Sequence, residues 1–209
     1  MPRLYGGRDW SDLTISCGAK DYLVHKSIVC PRSAFFARAC RGPFKEAQEG
    51  KISLPDDDPV AVHSMVFYLY HLKYDVSQSW KETSGKEVPK DGSELVTHAK
   101  VYALAEKYGI PCLKELARKN FKTAADEHWN GDKFFDAAYE AYTNTLETDR
   151  GLRDAVVDTL YNHKDLLKKG RAKEMARTVA MAAFDLLMRV HEDAGPWSYN
   201  TPYRNGRYY

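Results

Sequence analysis

The chain of 209 residues is 44% hydrophobic and 29% charged, the make-up of an ordinary soluble globular protein of one or two domains. Lys and Arg number 31 against 29 Asp and Glu, so the formal charge is only +2, which argues against the basic footprint of a nucleic-acid or anionic-membrane binder. Apolar stretches fall far short of the ~18 residues a spanning helix needs, and the opening MPRLYGGRDW has no secretory pattern, so a cytoplasmic or nuclear location is expected.

Asp12-Leu13-Thr14-Ile15-Ser16-Cys17 alternates polar and apolar, Gly18-Ala19-Lys20 follows, and then Asp21-Tyr22-Leu23-Val24. Two short strands around a glycine turn make a hairpin. Residues 25–30 read as a short helix ended by Pro31, because proline disfavours helical backbone at its predecessor. The Ser33 hydroxyl can cap a second helix over 34–40, and residues 51–54 alternate as a third strand. Asp58-Pro59 is a helix start, followed by an apolar face of Val62, Met65, Val66, Leu69 and Tyr70. Residues 75–93 are polar and predict a solvated loop between two helices. Val101, Leu104, Ala105 and Tyr108 form the next stripe. Gly109 ends it, and Pro111 opens another with Leu113, Leu116, Ala117 and Phe121.

Only helical patterns follow. Phe135, Ala138, Tyr142 and Leu146 share one face; Leu152, Ala155, Val156 and Leu160 share another behind a Thr148 cap; Met175, Val179, Ala182, Leu186 and Val190 share a third. After Gly195-Pro196 the tail interleaves Trp197, Tyr199, Tyr203, Arg204, Arg207, Tyr208 and Tyr209. Such a tail can stack on bases or dock in a partner groove, though a flexible end is the simpler reading.

Motifs for chemistry are missing. Gly50-Lys51 and Gly85-Lys86 both fail the phosphate-loop spacing, and the seven histidines form no HExxH. Asp56-Asp57-Asp58 lacks the rest of a calcium loop and reads as a turn plus a helix cap. Cys17, Cys30, Cys40 and Cys112 form no CxxC pair and read as free, mostly buried thiols. No catalytic residue, metal site or cofactor is expected, and the chain is read as a non-enzyme.

Taken in order, SDLTI at 11–15, YLVHKSIV at 22–29, SAFF at 33–36, PFKEA at 43–47, KISLPDDDP at 51–59, the helix ending in Tyr68-Leu69-Tyr70, and LAEKYGIPCL at 104–113 resemble a BTB/POZ domain. His71-Leu72-Lys73-Tyr74 departs from that family's tyrosine–glycine corner. DRGLRDAVV at 149–157 resembles the helical extension of many fungal members. The resemblance implies an α+β fold: a small three-stranded sheet with a cluster of helices over 11–122, an all-α extension over 126–192, and a flexible tail over 193–209.

It also implies a non-enzymatic protein–protein interaction module, an adaptor or scaffold presenting substrates to a cullin-based ubiquitin ligase. The alternative is a transcription-related regulatory module acting through protein contacts and dimerisation. Phe44 and Glu46 sit at the spacing by which family adaptors contact the cullin. Asp12, His25, Lys26 and Phe36 are the candidates for a dimer or partner groove, Asp12 and Lys26 as a charged pair; Ile28 and Phe35 are read as core. A homodimer is a candidate assembly, but Gly6-Gly7 argues against a swapped N-terminal helix, leaving Leu4, Tyr5 and Trp10 to cover an apolar patch. Neither nucleic acid nor membrane is expected as a partner.

Overall fold

The structure, a computed structural model, describes residues 4–43 and 45–194. Alternation in the first strand, β1 (Leu13–Cys17), sends Leu13, Ile15 and Cys17 into the core, while Gly18 at φ 56° lets the chain turn straight into β2 (Lys20–Val24). The two pair antiparallel, Leu13 opposite Val24 and Cys17 opposite Lys20. β3 (Lys51–Ser53) joins the other edge of β1 in parallel, giving the order β2-β1-β3. The chain is therefore α+β: this small sheet, a cluster of helices around it, and helices alone thereafter.

Helix α1 (Lys26–Val29) tightens into a 3-10 turn (Cys30–Arg32), so Pro31 sits inside that turn rather than ending all helical structure. Ser33 caps α2 (Ala34–Ala39): its Oγ accepts from the Phe36 N–H at 3.1 Å and donates to the Tyr108 carbonyl at 2.6 Å, tying α2 to a distant helix end. After α3 (Lys45–Glu49), Asp58 caps α4 (Pro59–His71) by accepting from Val60 and Ala61 N–H at 2.9 and 3.0 Å. Most of α4 is buried, including its polar His63 and Ser64.

Residues 75–93 are not simply a loop. They hold α5 (Val76–Ser84), started by the Asp75 carboxylate on the Gln78 N–H and ended by Gly85 at φ 69°. With Val76 and Ser79 its only fully buried residues, the helix leaves little apolar period to see.

Helices α6 (Ser93–Lys107) and α7 (Pro111–His128) pack on each other, and α6 also packs on α4 and on α8 (Asp132–Thr143). α7 runs unbroken through the expected boundary at 122–126, and one apolar cluster extends from Leu13 to Ala182, so the two halves share a core. Leu146 lies past the end of α8 and is exposed. The cap of α9 (Arg150–Asn162) is Asp149, not Thr148. Asp149 Oδ1 accepts from the Gly151 N–H at 3.1 Å and from Tyr102 Oη at 2.6 Å, and Lys114 pairs with the same carboxylate at 2.8 Å. This junction clamps α9 to α6 and α7. It needs glycine at 151, since a Cβ there would stand 2.1 Å from Tyr102 Oη.

A 3-10 turn (Lys164–Lys168) leads to α10 (Gly170–Thr178) and α11 (Ala180–Ala194). The stripe from Met175 to Val190 reads as one helix, yet the backbone breaks at Val179 (φ −128°, ψ 74°) and makes two. No helix among the described residues is long and apolar enough to cross a membrane.

A candidate partner-binding face

Helix α11, AMAAFDLLMRVHEDA, is apolar over most of its circumference. Its inner face is fastened by polar groups. Asp185, nearly buried, accepts from Tyr142 Oη at 2.8 Å and pairs with Arg150 at 2.8 Å, joining α11 to α8 and α9. Close by, Arg153 is buried over the Tyr142 ring, 4.8 Å from its centroid, and donates to the Tyr142 and Thr145 carbonyls at 3.2 Å. Tyr142 loses its proton less readily than usual, because it is buried and its hydroxyl already donates to the Asp185 carboxylate. Farther along α11, Arg189 lies 4.7 Å over the Tyr161 ring and Tyr161 Oη donates to Asp193.

Among the described residues the outer face has no such cover. Phe184 is 53% exposed and Leu187 63%, with Met181, Met188 and Val190 also exposed on α11 and Leu167 beside them. Between α10 and α11 this surface folds inward as a cavity of about 340 Å³, lined by Leu160, Leu167, Ala172, Met175, Ala176, Ala182, Ala183, Leu186, Leu187 and Val190. Isolated exposed apolar residues are normal on protein surfaces, whereas a contiguous apolar groove is characteristic of binding sites.

A larger cleft is of a different kind. About 680 Å³ lie between the Asp56-Asp57-Asp58 turn and helices α6 and α8. Both of its lysines are paired within the fold: Lys100 with Asp58 at 2.8 Å, and Lys107 with Asp57 at 2.7 Å, while Tyr108 also donates to Asp57. Glu94, Glu127 and His128 bring their ligand atoms within 4.8 Å of one another where α6 begins and α7 ends. His128 Nε2 lies 3.2 Å from Glu94, an ion pair of two helices when the histidine is protonated.

The residues expected at a dimer or groove surface do not form one. Phe36 is fully buried and stacks on Tyr108 at 5.6 Å, whereas its neighbours in the expectation, Ile28 and Phe35, are part-exposed. In a helix of six residues, adjacent phenylalanines cannot both face the core, and spacing does not say which does. His25 is buried too: its N–H donates to Tyr70 Oη at 2.9 Å, Nδ1 lies 2.8 Å from the same oxygen, and Nε2 lies 2.9 Å from the Asp9 carbonyl. Asp12 and Lys26 are no charged pair; Asp12 Oδ1 accepts from the Lys26 backbone N–H at 2.7 Å and so holds the start of α1. Glu46 is exposed on α3, and Phe44 lies outside the described residues.

Tyr5 packs edge-on against Phe67 and Tyr70, with ring centroids 5.2 and 5.6 Å apart, while Trp10 stays exposed at φ 64°. Of the cysteines only Cys17 is buried, Cys30 and Cys40 are part-buried and Cys112 is exposed. Burial and the adjacent Cys40 thiol push the Cys30 thiol up to about 11, leaving it protonated and unreactive at neutral pH. Apart from Asp193 and Ala194, which end α11, the expected flexible tail lies outside the described residues.

A family model described as the HAC6 N-terminal domain matches residues 33–128, somewhat under half of the chain. It runs from the Ser33 cap of α2 to the end of α7, leaving out the hairpin and α8 to α11. The match corrects the BTB/POZ resemblance, since the family that answers is not a BTB/POZ family. A hairpin, a capped short helix and a parallel third strand are solutions that many chains reach for local reasons, so their order can suggest a family without establishing it. What this chain is similar to is the HAC6 N-terminal domain, across its middle helices.

Proposed function

We propose that this protein is a non-enzymatic interaction module, an adaptor or scaffold that holds a partner in the groove between α10 and α11. The observation that carries the reading is the outer face of α11, where Phe184 and Leu187 remain more than half exposed beside an apolar groove. The apolar face of an amphipathic helix is normally covered by a neighbouring element. Covering a half-exposed Leu or Phe stabilises a complex by roughly 1 kcal/mol each, and a contiguous set of them is enough for a partner site centred on a few anchors. Cullin contact through Phe44 and Glu46 rested on the BTB/POZ resemblance and loses its support with it, so it forms no part of this reading.

The test is photo-cross-linking of the full-length protein in its native cells, with the reactive group at Leu187 or, as a control, at the exposed Glu115 of α7. Discrete protein adducts from position 187 alone, lost on Phe184→Glu, support the reading. Equal labelling from both positions, or none from 187, contradicts it.

A further inference from the structure

We infer that the occupant of this groove is an acidic amphipathic helix of another protein. The inference rests on the partner-binding reading above and adds the partner's chemistry. Small side chains set the shape: Ala172 and Ala176 on α10 face Ala182 and Ala183 on α11, so a helix backbone can approach both walls closely. Leu187 and Val190 at the rim then meet apolar residues spaced i, i+3, i+4 and i+7 on the incoming helix.

Charge sets the sign. Between residues 164 and 177, Lys164, Lys168, Lys169, Arg171, Lys173 and Arg177 stand against Asp165 and Glu174 alone. Lys173 stands three residues before the groove-lining Ala176 and so borders the α10 wall, and Arg177 follows Lys173 by one turn on the same stripe. Both are exposed, and among the described residues neither forms an ion pair. Carboxylates on the flank of a docked helix would neutralise them.

Other occupants match less of this surface. A second copy joined by a two-fold axis would bring its own Lys- and Arg-rich 164–177 segment to the same interface. Residues 195–209 bring Arg204 and Arg207 and no acid. An anionic membrane matches the charge but presents a flat surface to an alanine-walled groove.

Fluorescence anisotropy with the full-length protein tests this with two labelled peptides of about 15 residues, near the length of α11. Both carry Leu and Phe at i, i+3, i+4 and i+7; one has Glu elsewhere, the other Lys. The acidic peptide is expected to bind about tenfold or more tighter than the basic one, less tightly as salt rises. Lys173→Glu with Arg177→Glu should reverse that preference, and Leu187→Glu should remove binding, with the far-ultraviolet circular dichroism unchanged in both. Equal affinity for the two peptides overturns the acidic partner but leaves the groove as a partner site. Binding to phosphatidylserine vesicles without peptide binding, or a doubled mass in light scattering that Leu187→Glu halves, overturns it in favour of a membrane or a second copy.

Discussion

Two helices of this protein carry apolar faces into opposite surroundings, although α4 has no Asp, Glu, Lys or Arg and α11 bears Asp185, Arg189, Glu192 and Asp193 along one side. Helix α4 is apolar on most sides and is buried on most sides, down to Met65 and Leu69 with no exposure at all. Helix α11 is apolar on most sides, yet only Ala182 and Asp185 are buried. Helices α1, α5 and α6 pack around α4, whereas α11 lies at the end of the described fold against α9 and α10 and reaches α8 through Asp185. Apolar sequence is therefore enclosed in α4 and partly exposed among the described residues in α11.

The contrast breaks most sharply under truncation. Leu69→Ala should cost about 3 kcal/mol or more, the usual range for emptying a sealed core position. Urea denaturation measures it, and a loss under 1 kcal/mol would mean that α4 is less enclosed than described. Gly151→Ala should cost about 2 kcal/mol or more, because its new methyl meets Tyr102 Oη, which stands 2.1 Å from the Cβ position. Combining it with Tyr102→Phe should recover part of the loss, a non-additivity expected of touching residues and absent if the two sites are independent.

Acid should probe the enclosed side. Burial holds both His63 and His98 down to about 4, with Lys20 adding to the lowering at His63 and Glu82 opposing it. Their folded values lie below the ordinary 6.5 of the unfolded chain, so between pH 6.5 and 4 the unfolded state binds more protons. The stability they leave intact above pH 6.5 is lost as pH falls toward 4, by roughly 2–3 kcal/mol per histidine once both states are protonated. Replacing both by Gln should flatten the stability profile in that window, and an unchanged slope would assign the acid sensitivity to other groups.

Asp185→Ala should cost about 2 kcal/mol, since Tyr142 and Arg150 both lose their acceptor. Amide exchange should then quicken in α11 first and leave α4 unchanged. The smallest effect belongs to Leu187→Ala, within about 0.5 kcal/mol in stability because the side chain is mostly in water.

Features encoded by neighbouring residues were legible without a structure. The Gly18 hairpin, the Ser33 and Asp58 caps and the Gly109-Ile110-Pro111 break all stand where their side chains or backbone freedom require. Features decided by distant packing were not. The spacing Met175, Val179, Ala182, Leu186, Val190 fits a single helix, and no glycine or proline marks the break at Val179. In α5 the Asp75 and Gly85 end signals were present but the apolar stripe was too thin to count. The candidate face was half visible: Leu186 and Val190 belonged to a stripe read as one apolar helix face, and periodicity reports that a face is apolar, not whether anything covers it. Family identity was the least legible, because it was inferred from the order of common elements.

The central claim is that the leftover apolar face of α11 holds a partner helix. Hydrogen exchange of the full-length protein with and without a saturating acidic amphipathic peptide tests it most directly. The account predicts slower exchange in α10 and α11, with α4 and the strands unchanged. Protection that falls instead around the Asp56-Asp57-Asp58 cleft, or no protection in α10 and α11 at saturation, would contradict it.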